Sequence, residues 1–408
     1  MTFIPAGMQR RLIPPSLLQF AAGGAFAPFV FLYLSRDLNL SFPEIGQIFV
    51  ISSIVNAAMP IFLGVLADRF VPVNRLLILL HTLAATSIVL LAFSTSYAAV
   101  TVWTVSWFAL WQSTNGLYNA FCFHNLKSPG EEFGRVRAWG TLGWVIPLIP
   151  IWLWHHYSGH DDLRFVLFVT AAFQFSFVFC GRLMPYTRPG GKPPEGEEGV
   201  ELPFLAAVRL LLRKTAFWLL ILSSFCMSWS LTILFFYSPV LLKSVCDVPQ
   251  KWIGPIQSAG IPLEFLVFLI LRPTIRRLGY VGTLAIGSMA MVLRQLLFAY
   301  SDNLTLLTLS YALPSIAVPF FLTANSLTIE AIADRRVRAS AQSIIAVVGS
   351  GLAGVIGHLH AGQTVGQSEA GLISLFVLGA ALAAIPLLLL PLIHLAEGKR
   401  LGFFTPPK

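Results

Sequence analysis

P-Y-T-R-P-G-G-K-P-P-E-G-E-E-G-V-E-L-P, from Pro185 to Pro203, is the stretch on which the reading of this chain turns. It is too polar and too rich in proline and glycine to pack or span as a helix, so it reads as a linker. On either side the sequence is a succession of apolar runs of about twenty residues, the length that a helix needs to cross a hydrocarbon core. The runs fall at residues 12–34, 43–67, 74–93, 98–122, 136–156 and 163–184 before the linker, and at 215–241, 253–273, 280–300, 304–328, 338–360 and 371–395 after it.

Composition agrees with that reading. The chain is 56% hydrophobic and 11% charged, whereas soluble domains carry charge on about a quarter of their residues. The runs are continuously apolar, without the alternation of a membrane barrel, and helices satisfy their own backbone groups in lipid. The expected fold is an all-α membrane protein of about twelve transmembrane helices. It divides into a six-helix half over residues 1–184, a cytoplasmic linker over 185–213 and a second six-helix half over 214–408. The first run is long, lacks a small-residue cleavage site and is followed by further spans, so it is expected to be a retained helix.

A net charge of +9 raises the question of nucleic acid, but the basic residues are spread over short loops and form no single patch or stripe. Threading the runs alternately places 22 Lys and Arg residues on the side of the N-terminus and 4 on the other, with Arg294 inside a span. By the positive-inside rule both termini are expected in the cytoplasm, in an inner-membrane protein. The cysteines Cys122, Cys180, Cys226 and Cys246 have no metal or disulfide spacing and are expected to pack as small apolar residues.

The two halves carry a trace of repetition. Arg135-Val136-Arg137-Ala138 opens span five, and Arg336-Val337-Arg338-Ala339 opens span eleven. Parallel six-helix halves with a substrate site near the midplane between them are a recurring transporter plan.

Intramembrane polar residues point to the chemistry. Glu264 is the one acidic residue deep in an apolar run, and Arg294 the one basic residue inside a span. Ionisable groups at that depth cost at least about 2.5 kcal/mol and by default mark function. Lying on consecutive antiparallel helices, the two are expected to meet, with Glu264 as the proton or substrate carboxylate and Arg294 as its partner. Gln112, Asn115 and Asn119 recur at helical spacing in span four with Trp111 and Tyr118 beside them, a face suited to a sugar or a base ring. Gln19, Asn56 and Asn325 add weaker signals.

His81, His124, His358 and His360 read as packing residues near helix ends or without acidic neighbours. The run His155 to Asp162 reads as a solvated interfacial loop, because no paired metal-ligand motif accompanies it. Pro28, Pro60, Pro147, Pro239, Pro262 and Pro314 are expected to interrupt spans.

Gly64-Val65-Leu66-Ala67-Asp68-Arg69, after span two, resembles the loop signature of the major facilitator superfamily, although Phe70 to Arg75 departs from its continuation. Asp68 and Arg69 at a helix end can hold neighbouring helices in one of two arrangements. Arg137-Ala138-Trp139-Gly140-Thr141-Leu142-Gly143-Trp144, with Glu264 and Arg294, resembles the nucleoside:proton symporter branch of that superfamily and its phenylpropionate-type and lactose permease cousins. The likeness covers nearly the whole chain. It implies proton-driven uptake of a nucleoside or similar small polar solute, with Arg137, Thr141, Trp144 and Glu264 facing the substrate. Phe225 and Ser228 stand where amides are expected, Ile261 where a Gln would precede the Glu by one turn, and Pro319 where span ten would carry an Asp.

No Walker A loop, H-E-x-x-H or nucleophile elbow is present, and nothing calls for a metal or a cofactor, so the chain does not read as an enzyme. A permease for a sugar or an aromatic acid, and a non-transporting sensor of the same fold, are the competing readings. Substrate, protons and lipid are the expected partners, and a monomer suffices.

Overall fold

The structure is a computed structural model that describes residues 7–126, 129–160, 162–187, 210–211, 213–333, 337–364, 368–397 and 401–406. Among the described residues the chain is helical, with no strand. Ten stretches are long and apolar enough to cross a membrane, and two features bring them to the expected twelve. Gln250–Tyr300 is a single apolar stretch of 51 residues, but Gly279 inside it has φ 74° and ψ 173° and joins two helices, a backbone open to glycine. Tyr97–Asn125 is a helix of 29 residues that falls outside the ten because its polar stripe lowers its hydropathy. The spans, in chain order, are α1 Gln9–Asp37, α2 Phe42–Arg69, α3 Val73–Ala92, α4 Tyr97–Asn125, α5 Val136–Tyr157, α6 Arg164–Gly181 and α7 Thr215–Ser244, then α8 and α9 on either side of Gly279, α10 Leu304–Ile332, α11 Ala341–Thr364 and α12 Glu369–Glu397.

Residues 188–209, which hold most of the expected linker, and Arg336 of the repeated tetrapeptide lie outside the described residues.

The chain forms two compact units, one of Met1–Glu197 with Val248–Ser258 and the other of Glu198–Asp247 with Ala259–Lys408. The opening of α8, expected in the second half, therefore packs within the first unit. The reason lies in its side chains. Gln250 Oε1 accepts from Arg36 Nη1 at 2.9 Å, Gln257 Nε2 donates to the Pro28 carbonyl at 3.3 Å, and Trp252 meets Trp152 edge-on at 6.0 Å.

Within the first unit α1 packs on α5 and α6, and α4 on α2 and α3, over a core that includes Leu12, Leu76, Tyr118, Phe121 and Phe177. In the second unit α12 packs along α7 and along the stretch Ile261–Tyr300, which also meets α10, over Phe217, Leu220, Met291, Phe321 and Ile329. Large apolar side chains such as Ile54, Phe62, Leu266 and Leu388 face outward, an arrangement that requires lipid as solvent.

Local signals set the helix ends. Glu44 Oε2 accepts from the Ser41 amide at 2.8 Å, a capping box at the start of α2 with Pro43 in its first turn. Ser96 Oγ and Asn303 Oδ1 cap α4 and α10. Two of the proline expectations need correction, because Pro60 and Pro239 sit inside uninterrupted helices, as membrane-spanning helices tolerate.

The segment Leu401–Gly402 closes the turn between α8 and α9. Tyr280 N–H donates to the Leu401 carbonyl at 2.7 Å and Val281 N–H to the Gly402 carbonyl at 3.3 Å, with Leu401 fully buried.

Candidate functional site

In the first unit α1 and α5 approach backbone to backbone. A Cβ on Gly143 would lie 2.2 Å from the Leu17 carbonyl oxygen, and one on Gly24 equally close to the Trp144 carbonyl oxygen. Small residues are what permit such contact between membrane helices. The approach brings the start of α5 against α1, where Arg137 stacks its guanidinium 4.0 Å over the Phe20 ring and Ser16 Oγ donates to the Val136 carbonyl at 3.1 Å. Thr141, one turn beyond Arg137, back-bonds to its carbonyl at 3.4 Å.

α4 completes this face. Trp111 Nε1 donates to the Gln19 carbonyl at 2.9 Å, Gln19 Nε2 donates to Asn115 Oδ1 at 2.8 Å, and Asn115 Nδ2 donates to Gln112 Oε1 at 3.4 Å. The Trp111 ring is stacked on Trp107 at 5.1 Å and lies 6.3 Å from Trp144. Gln112 is exposed, while Asn115, Asn119, Arg137, Thr141 and Trp144 are half-buried. The structure thus gathers three indoles, a guanidinium and a chain of amides on α1, α4 and α5. Trp107 and Trp111 are buried behind this face, so half-buried Trp144 offers the flat apolar contact beside the amides, and together they meet the two needs of a heterocyclic ligand.

Gln19 is more central than its sequence context suggested. It sits at the hub of the amide chain and is 1% exposed. The readable signal was a lone amide in an apolar run; its partner on α4 was not readable, because contacts between helices are absent from a single helix's periodicity.

In the second unit Glu264 lies half-buried in the first turn of the helix that begins at Ile261. On α7, Phe225 meets Trp229 edge-on at 5.8 Å, and Trp229 lies against α11, where a Cβ on Gly357 would come within 3.0 Å of its ring. Asn325 is buried and its amide donates to Ser224 Oγ on α7, so it ties α10 to α7.

Arg294 corrects an expectation. It is fully buried, its three guanidinium nitrogens have no aligned hydrogen-bond partner, and it is not ion-paired with Glu264. Instead the Arg294 guanidinium lies 3.2 Å from the Phe298 ring centroid and 4.6 Å from that of Tyr311. Glu264 and Arg294 are each 15 residues from Gly279, which gives them similar depth, but depth does not determine which face of a helix a side chain occupies.

Gly64 is half-buried with open space at its Cα, Arg69 is exposed, and the Asp68 side chain lies outside the described residues. His81 is fully buried in mid-helix, bonded through Nδ1 to Gln174 and stacked on Phe177 at 3.6 Å, so it is a packing residue but not one near a helix end. His155 Nδ1 meets the His160 carbonyl at 2.9 Å and His156 stacks on Trp152. A separate cavity of about 380 Å³ at the end of α1 is lined by Tyr33, Arg36, Asp37, Leu38, Asp162 and Arg164.

An all-helical membrane chain of twelve spans, with polar and aromatic side chains inside its helical units and no ATP-binding motif, defines a secondary transporter of the major facilitator plan. The chain belongs to the nucleoside H+ symporter family, whose model matches residues 7–396. It is 25% identical to the nucleoside permease NupG of Escherichia coli (strain K12) over 366 residues, 86% of each chain. It is also 25% identical to the maltose permease of Geobacillus stearothermophilus over 369 residues, 88% of each. A crystal structure of the nucleoside transporter NupG superposes with a TM-score of 0.78 at 22% identity, covering 96% of this chain and 100% of that one. The protein is therefore a transporter and not an enzyme.

Proposed function

We propose that this chain carries nucleosides into the cell together with protons, with the α1, α4 and α5 face of the first unit receiving the base and Glu264 taking the proton. The observation that carries the assignment is half-buried Trp144, backed by the buried Trp111 and Trp107, set beside the linked amides of Gln19, Asn115 and Gln112. A nucleobase is a flat ring with donors and acceptors along its edge, so it stacks on an indole while amides read the edge. Asn119 extends the amide face, and Arg137 and Thr141 supply donors for the sugar hydroxyls.

Glu264 suits the coupling role for a physical reason. A carboxyl group away from bulk water favours its neutral form, and a nearby charge or a hydrated opening favours its ionised form. Alternating exposure of one carboxyl group therefore moves a proton with each cycle. Arg294 supplies a fixed positive charge in the same unit. The loop of Gly64, Asp68 and Arg69 acts at the conformational change, and Asn325 serves as a helix tie beside the substrate. The excess of basic residues on one set of loops supports an inner-membrane protein with both termini in the cytoplasm. A monomer suffices.

The test is uptake of labelled uridine and adenosine by vesicles containing the purified protein, with and without an inward proton gradient, beside Glu264→Gln. Gradient-dependent accumulation that the variant loses supports the reading. If neither nucleoside moves while maltose or an aromatic acid does, the substrate assignment is wrong; accumulation unchanged in Glu264→Gln removes the coupling role.

A further inference from the structure

α8 is not one helix. Its first part, Gln250–Ser258, ends at a turn through Ala259 and Gly260, and a new helix begins at Ile261, less than one turn ahead of Glu264. That joint is fastened to α10. Ser315 Oγ donates to the Gly260 carbonyl at 2.6 Å, and the Glu264 amide donates to the same oxygen at 3.0 Å. Ser315 Oγ also lies 3.2 Å from the Tyr311 carbonyl, so one hydroxyl is wedged between the backbones of the two spans. A Cβ at position 260 would come 2.0 Å from the Tyr311 carbonyl oxygen and 2.3 Å from Ser315 Oγ. Only glycine lets them approach this closely.

Tyr311 has a second set of contacts, at its ring. One guanidinium, that of Arg294, lies 4.6 Å from its centroid, and its hydroxyl is 3.0 Å from Ser238 Oγ on α7. Ser238 gives its own hydrogen to the Leu234 carbonyl at 2.6 Å, which makes Tyr311 the donor between the two hydroxyls. Arg294, Tyr311, Ser315 and Ser238 are all buried. Arg294 lies against the Phe298 and Tyr311 rings there, so displacing the Tyr311 ring removes part of what holds a desolvated cation.

We propose that Tyr311 and Ser315 are positioning residues for Glu264, transmitting the placement of α10 against buried Arg294 to the helix turn that carries the carboxylate. The inference rests on the reading of Glu264 as the proton-coupling group. Residues four apart share one helix face, so Tyr311 and Ser315 move together. Their shared grip on Gly260 sets the direction in which the Ile261 helix departs, and with it the direction of a side chain in its first turn. Movement of α10 then re-aims Glu264 without either residue touching substrate.

The experiment uses the full chain in proteoliposomes, with uridine as the probe, and compares Ser315→Ala, Ser315→Thr and Tyr311→Phe with Glu264→Gln. Loss of one hydrogen bond corresponds to a change of about three- to ten-fold, and that is the fall expected in the maximal rate of proton-driven uptake for Ser315→Ala and Tyr311→Phe, at nearly constant KM and with a fall in melting temperature no larger than one buried hydrogen bond accounts for. Ser315→Thr, which keeps the hydroxyl, restores the rate. Normal driven uptake in Ser315→Ala and Tyr311→Phe beside an inactive Glu264→Gln overturns this inference alone. A fall in rate that Ser315→Thr fails to rescue overturns it as well. Full accumulation by Glu264→Gln overturns the reading of Glu264 itself.

Discussion

The amides of Gln19 and Asn115 meet at 2.8 Å between α1 and α4, and the other end of the Gln19 amide, Oε1, is buried without a hydrogen-bond partner. A buried acceptor without a donor costs about 1–3 kcal/mol, and a ligand that donates to it recovers that energy. Gln19→Leu removes both the contact to Asn115 and the waiting acceptor. We expect KM for nucleosides to rise about ten-fold with little change in maximal rate, since each such hydrogen bond contributes about that factor; initial-rate uptake kinetics would measure it. An unchanged KM would exclude Gln19 from the ring-binding face.

Trp111→Phe separates stacking from hydrogen bonding. The phenyl ring still lies against Trp107, but the donor to the Gln19 carbonyl is lost. The expected cost is about 1 kcal/mol of stability, read as a lower melting temperature in detergent, together with a higher KM. Melting at the wild-type temperature would show that the indole N–H does not hold α4 to α1.

The contact of α5 with α1 is tested by two glycines that differ in surroundings. Gly143→Val forces a side chain toward the Leu17 carbonyl, and overpacking of this kind costs about 1–3 kcal/mol or more. Gly116 in α4 has nothing within 4 Å of the place a Cβ would take, so Gly116→Ala should hold or raise stability by up to about 1 kcal/mol through helix propensity. Thermal unfolding of both variants in one detergent decides the matter, and equal melting temperatures would contradict the close approach.

Arg294→Met separates stability from coupling. Replacing a fully buried guanidinium by an apolar side chain of similar length removes the cost of keeping a charge out of water. We expect an unchanged or higher melting temperature and a loss of proton-driven accumulation. A variant that melts normally and still accumulates nucleoside would leave Arg294 with a packing role only.

The fold was legible because lipid imposes a length and a hydropathy on every span. Even α4, whose hydropathy falls below that of its neighbours because Gln112, Asn115 and Asn119 share its face, was legible as the run at 98–122. Gly279 carries no signal of its own in the sequence, yet it is the joint between α8 and α9. The candidate site was legible only as residue types at depth, which is how Glu264, Arg294 and the stripe on α4 came to be proposed. It was not legible as faces. Periodicity along one helix does not state which neighbour a side chain meets, so Arg294 against Phe298 and Tyr311, Gln19 against Asn115, and Ser315 against Gly260 emerge only with the packing. Val248–Ser258 is the same case at a larger scale: its hydropathy assigns it to a span, and its side chains assign it to the first unit.

The seal that Leu401 and Gly402 place on the turn at Tyr280 and Val281 has a consequence in time. During synthesis α8 and α9 emerge long before their closing partner, so two backbone N–H groups wait open while α10, α11 and α12 are made. The hairpin that carries Glu264 and Arg294 therefore reaches its finished form late in translation, and a ribosome that stops short of residue 401 releases a chain with every span in place and that turn still unlocked.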